Sequence, residues 1–170
     1  MPEMQGVMSI TIRLSDRSLQ ARDEVLKTKA VDISVRGYES RFVVADTPNA
    51  EIQGLTAEAA WAEIMDVDYI YKPYDPKQDD VAGIQVRSSK SKNAHLMIYE
   101  KDVPGVYVLG IVNDDYTIVE FVGWSTYERV VQPANYKTQL GTYTLKIPAY
   151  CAAQSDLKSF LDWPPRNEAR

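Results

Sequence analysis

One cysteine, Cys151, and one histidine, His95, are all that 170 residues hold of the two residue types most metal sites and nucleophilic triads depend on. A single cysteine excludes an internal disulfide framework and any zinc site built from several thiolates. A single histidine excludes the two-histidine metal motifs. No run approaches 18 apolar residues, so no membrane span is expected, and the N-terminus lacks the basic and apolar regions of a signal peptide. The expectation is a soluble protein of a reducing compartment. The chain also lacks the Gly-x4-Gly-Lys-Ser/Thr phosphate loop, the Gly-x-Gly-x-x-Gly turn and the Gly-x-Ser-x-Gly elbow. The acidic spacing near Asp66 and Asp68 has neither the glycine nor the terminal glutamate of a calcium loop. An excess of positive charge is missing too: 24 acidic against 19 basic residues give a net −5. That is the wrong sign for binding nucleic acid through a global field, although it leaves room for a local basic patch.

What is present is ordinary for a folded domain. The chain is 45% hydrophobic and 25% charged, and a chain of this length buries about two thirds of its unfolded surface. With no repeat, low-complexity tract or Gly/Ser-rich linker, residues 1–163 read as one domain and 164–170, opening on Pro164-Pro165, as a flexible tail. Asp16–Ala30 mixes helix formers with Arg17, Arg22, Asp23 and Glu24 and predicts a surface helix capped by Ser15 or Asp16. Residues 32–45 alternate β-branched side chains around Gly37, which predicts one strand or an extended segment, and Pro48-Asn49 then breaks the chain. Leu55–Met65 is alanine-rich and predicts a helix. Asp68–Lys72 is strand-like, and Pro73–Asp80 reads as a polar loop. Strands are expected at Ala82–Ser88, Ala94–Tyr99, Val106–Val112 and Tyr116–Trp124, as consecutive antiparallel neighbours turned by motifs such as Asn113-Asp114-Asp115. Ser125–Val131 predicts a short helix, Tyr143–Ile147 a last strand and Ser155–Leu161 a terminal helix. The fold class is α+β, or mixed α/β: helices flanking a central, largely antiparallel sheet.

Two polar groups stand out. On a wheel of about 100° per residue, Glu58 falls between Trp61 and Met65 on one side and Ala62 and Leu55 on the other. An unpaired carboxylate on such an apolar face costs several kcal/mol, so a cation, a metal ion or an opening to solvent is expected beside it. A shallow contact that leaves Glu58 at the rim serves equally. The second group is Asp80-Val-Ala-Gly-Ile-Gln85-Val-Arg87-Ser-Ser-Lys90. Strand period two sets Gln85 and Arg87 on one face and Ile84 and Val86 on the other, and Gly83 permits a tight bend. Asp80, Gln85 and Arg87 then meet at one sheet edge, or form an ordinary amphipathic strand facing water. Arg87, Lys90 and Lys92 are the densest basic cluster in the chain. Tyr74, in the loop before Asp80, is a candidate base-stacking residue. Cys151 and Trp124 read as buried packing residues.

Taken in order, these features are an alanine-rich helix with a glutamate, a polar loop, an aspartate, and a strand of the form amide–apolar–base. Two further strands and a Gly123-Trp124 pair follow. The order resembles the PD-(D/E)xK nuclease-like superfamily, with its restriction-endonuclease-like core, and in particular small members from bacteriophage and bacteria. The resemblance covers roughly residues 50–150 and leaves residues 1–45 as an N-terminal extension. It implies a hydrolase of DNA phosphodiester bonds in the cytoplasm (the host's, for a phage protein). Asp80 and Glu58 would hold Mg²⁺ or Mn²⁺, Gln85 would complete the sphere, and Arg87 would stabilise the phosphate. Lys90 and Lys92 would meet the nucleic-acid backbone. Gln85 stands where the family usually has an acid, which lowers the expected metal affinity. Arg87 stands where it usually has lysine; it can clamp a phosphate but cannot take a proton from water. The alternative is therefore a catalytically weakened relative that binds nucleic acid, or a protein partner, without cutting.

Overall fold

A computed structural model describes residues 8–36, 47–72 and 80–163, without the side chains of residues 33–36 and 47–48. Ser15 opens the first helix, α1 (Asp16–Arg36), by accepting the Ser18 N–H at 3.1 Å, the capping role expected of it. The helix runs past Ala30 and through the β-branched Val31–Val35 stretch, where a strand was expected. Each β-branched residue costs a helix only a few tenths of a kcal/mol, and the Tyr71 hydroxyl donates to Asp32 from outside. The rest of that expected strand, and the proposed tail at 164–170, lie outside the described residues.

The second helix, α2 (Thr47–Met65), begins two turns before the predicted one. Pro48 does not break the chain but sits in the helix's first turn, where no N–H is needed and its φ is already helical. Glu63 in the last turn of α2 accepts from the Ser15 N–H (3.0 Å), the Ser15 hydroxyl (2.7 Å) and the Ser18 hydroxyl. Burial alone would raise its carboxyl; hydrogen bonds from Ser18 and Ser15 hold it below the usual range. Seven residues further along α1 and seven back along α2, Arg22 reaches Thr56 Oγ1 (3.3 Å), and it also donates to the Tyr116 carbonyl, so α1 and α2 lie antiparallel. Arg22, expected on a surface helix, is 8% exposed. Asp68–Lys72, expected as a strand, forms no ladder.

Among the described residues seven strands make two sheets: β1 (Ile10–Arg13), β2 (Ile84–Ser89), β3 (Leu96–Ile98), β4 (Val106–Val112), β5 (Ile118–Thr126), β6 (Tyr136–Leu140) and β7 (Tyr143–Ala152). The first sheet runs β1-β5-β4-β2 and the second β3-β7-β6. β4 and β5 are the expected hairpin, with Asn113 Oδ1 accepting the Thr117 (2.8 Å) and Ile118 (3.0 Å) N–H groups at its turn. The expected meander fails one strand earlier. β2 pairs with β4 in parallel, and β3 leaves to pair with β7. A parallel pair needs a crossover of a dozen or more residues; the stretch from Lys90 to Gly105 supplies it and carries β3 on the way. The architecture is thus mixed α+β with mostly antiparallel sheets flanked by helices. Tyr127–Val130 forms the expected short helix, α3, whereas the predicted terminal helix is two 3₁₀ turns, Gln154–Asp156 and Phe160–Asp162.

α2 covers one face of the first sheet, where Trp61 and the α2 alanines meet Ile84, Val86, Val108, Val119 and Phe121. Alanines let the helix approach closely, and Trp61 fills the centre against Phe121 (5.1 Å) and Trp163 (5.3 Å). Trp124, 1% exposed, also meets Trp163. The other face of the sheet packs Tyr107 and Leu109 against Leu96, Ile98 and Ala152 of the second sheet. Cys151 is buried beyond that, as expected. Among the described residues no helix is long and apolar enough to cross a membrane.

Candidate metal and phosphate site

The site grows from the tight turn before β2. Ala82 (φ 52°) and Gly83 (φ 81°) take left-handed backbone, and Val81 and Ile84 bridge across the turn. Asp80 is thereby folded back onto the strand it precedes, and its Oδ2 accepts the Val86 N–H at 2.8 Å. The same oxygen stands 3.8 Å from Arg87 Nη1. Among the described residues β2 is an edge of its sheet, and Asp80 and Arg87 come together there.

The pleat divides the residues between two faces. Gln85 and Arg87 are registered with Tyr107 and Leu109, on the side of the second sheet, while Ile84 and Val86 face α2. Glu58 comes from α2, on the opposite side of the strand. Asp80 is common to both: it neighbours Arg87 directly and its charge acts on Glu58. Gln85, 7% exposed, is buried on Arg87's side.

Glu58 is a partly exposed residue whose carboxyl end is buried. The Tyr69 hydroxyl donates to its Oε1 at 2.8 Å. Burial first, then the negative charge of Asp80, push the carboxyl up to about 8; the Tyr69 bond, Lys29 and Arg87 oppose them and lose. The compensation expected for Glu58 is thus partial: a phenol and two cations, but also a second acid. Tyr69 itself is raised well above its usual range by burial and by Glu58.

Arg87 is held on three sides. Its Nη2 lies 2.9 Å from Asp102 Oδ2, its Nη1 leans toward Asp80, and its guanidinium sits 5.0 Å from the centroid of the Tyr107 ring. Burial, ahead of the neighbouring charges, pushes the Tyr107 hydroxyl up to about 12. The remaining basic residues scatter. Lys90 lies over the Tyr116 ring at 4.3 Å and reaches Asp114 at 4.0 Å. Lys92 is exposed, and Gln154 fixes its carbonyl at 2.7 Å. Tyr74 lies outside the described residues.

Three contributors escaped the sequence. Lys29 comes from the N-terminal extension, Tyr69 from a segment read as a strand, and Asp102 from a loop with no motif. A helical face carrying Arg22, Val25 and Lys29 was the one signal for the first; nothing local marked the others.

Among the described residues, no three His, Cys, Asp or Glu side chains cluster to hold a metal ion. The donor chemistry at Glu58 and Asp80 still suits a hard divalent cation. Two carboxyls, one holding its proton partly because of the other, are short of positive charge, and oxygen ligands are what Mg²⁺ and Mn²⁺ take. No family model, curated protein or solved structure matches this chain.

Proposed function

We propose that this protein is a divalent-metal-dependent phosphodiesterase acting on DNA in the cytoplasm. The observation that carries the reading is Asp80, a carboxylate shared between a raised carboxyl on Glu58 and a fixed guanidinium on Arg87. Glu58 and Asp80 would hold Mg²⁺ or Mn²⁺; Gln85, expected to complete the sphere, is buried on the opposite face of β2 from Glu58 and is not placed to do so. A metal bound there would polarise a phosphate oxygen and lower the pKa of a coordinated water. The chain's own residues do the rest. Asp80 keeps its orientation through the Val86 N–H, Tyr69 fixes Glu58 Oε1, and Arg87 offers Nη1 to the charge of the phosphate. Arg87 stays protonated and takes no proton from water.

That last point favours a second reading, a weakened relative that binds nucleic acid or a protein partner without cutting. The test is cleavage of labelled single-stranded, duplex and branched DNA with Mg²⁺ or Mn²⁺, wild type beside Asp80→Ala. Cleavage that falls roughly 100-fold or more in the variant is expected, because metal-assisted charge stabilisation is worth several kcal/mol. No cutting of any substrate by the folded wild type, even with Mn²⁺, would leave the binding reading in its place.

A further inference from the structure

We infer that Asp102 is a positioning residue that aims the Arg87 guanidinium at a nucleic-acid phosphate. The inference rests on the reading above, since it needs Arg87 to meet a phosphate. Asp102 follows β3 in the crossover, and its placement is rigid. Its own N–H donates to the Tyr99 carbonyl (3.0 Å), and its Oδ2 accepts the Tyr99 N–H (2.8 Å). That Oδ2 also accepts Arg87 Nη2 at 2.9 Å, and the Asp102 side chain is 3% exposed, against 19% for Arg87. The guanidinium is therefore gripped at its Nη2 and backed by the Tyr107 ring, while Nη1 points to Asp80.

A pair kept only for stability would be arranged differently. Buried ion pairs contribute little net stability, and they do so only when every donor is satisfied. Here the Arg87 Nε–H is buried with no acceptor among the described residues, an orphan that works against the fold. The guanidinium is thus fixed in direction at the expense of a donor. Fixed direction is what binding a tetrahedral phosphate through one end of an arginine requires.

The test is anisotropy of labelled duplex and single-stranded DNA in Ca²⁺ across a salt series, with thermal unfolding in parallel. Wild type is compared with Asp102→Asn, Asp102→Glu, Arg87→Gln and the Asp102→Asn/Arg87→Gln double variant. Asp102→Asn is expected to weaken binding roughly tenfold and make the log–log salt slope about one less steep, as Arg87→Gln does. The double variant should bind no worse than Arg87→Gln alone. Should Asp102→Asn fail to fold, Asp102→Glu decides: it keeps the charge that stability needs but displaces the grip, so it should fold and still bind weakly. DNA binding that falls in Arg87→Gln but is untouched in the Asp102 variants overturns the inference and leaves the proposed function standing. Wild-type protein that binds no DNA overturns both.

Discussion

Glu58 is the residue on which the site's electrostatics turn, and its state follows from its surroundings. Its carboxyl is pushed from an ordinary 4.5 up to about 8, so between those values the folded protein keeps a proton that the unfolded chain has lost. Its effect on stability is therefore most favourable below about pH 4.5 and is lost as pH rises through about 8. Glu58→Gln, which can still accept from Tyr69, removes that dependence. Urea denaturation in a chelator at pH 5.5, 7 and 9 should show the variant gaining on wild type as pH rises, by a few kcal/mol at pH 9. A constant difference across the three values would show that Glu58 titrates normally. The helix wheel alone placed Glu58 on an apolar face. The wheel could not show that Tyr69 and Asp80 would be its neighbours, because both come from segments beyond the helix.

Among the elements, β5 is closely constrained by its neighbours at Gly123. A Cβ on Gly123 would stand 2.7 Å from Leu157 Cβ and 3.1 Å from the Lys158 carbonyl, which bonds the Trp124 N–H at 3.1 Å. Neither atom can swing away, so Gly123→Ala should cost about 2–3 kcal/mol and lower Tm on the order of 5–10 °C. Gly54, inside α2, meets nothing within 4 Å. Gly54→Ala should instead stabilise by about 0.5–1 kcal/mol, the usual preference of a helix for alanine. Thermal unfolding of the two variants measures both, and equal effects would contradict the packing at Leu157. The Gly123-Trp124 pair was legible as the end of a strand. The partner that demands glycine was not, since residues 157–158 were read as helix, and Lys158 instead bridges to β5 at Trp124.

At the scale of the whole molecule, a net charge of −5 sets how DNA can be met. Among the described residues the cations near the edge of β2 are few, and two are already engaged: Arg87 by Asp102 and Lys90 by Asp114 and Tyr116. With about three phosphate contacts available from the described residues Arg87, Lys90 and Lys92, duplex binding at this edge should show a log–log salt slope no steeper than about −3. A slope of −6 or more would place the interface elsewhere on the surface.

The sequence by itself determined the elements whose signal is local. The alanine-rich core of α2, the Asn113 hairpin and β4 all follow from propensity, period and turn chemistry over a few residues. The sequence also offered Asp80 and Arg87 as neighbours at one edge, beside the alternative of an amphipathic strand facing water; the turn at Ala82 and Gly83 brings them together. Tertiary structure decided what long separations decide. It set β2 parallel to β4, sent β3 to another sheet, brought Lys29 and Tyr69 to Glu58, and put Asp102 behind Arg87. None of these contacts has a periodic signature, since each depends on where the chain returns after a crossover or a loop and which surface it must then bury.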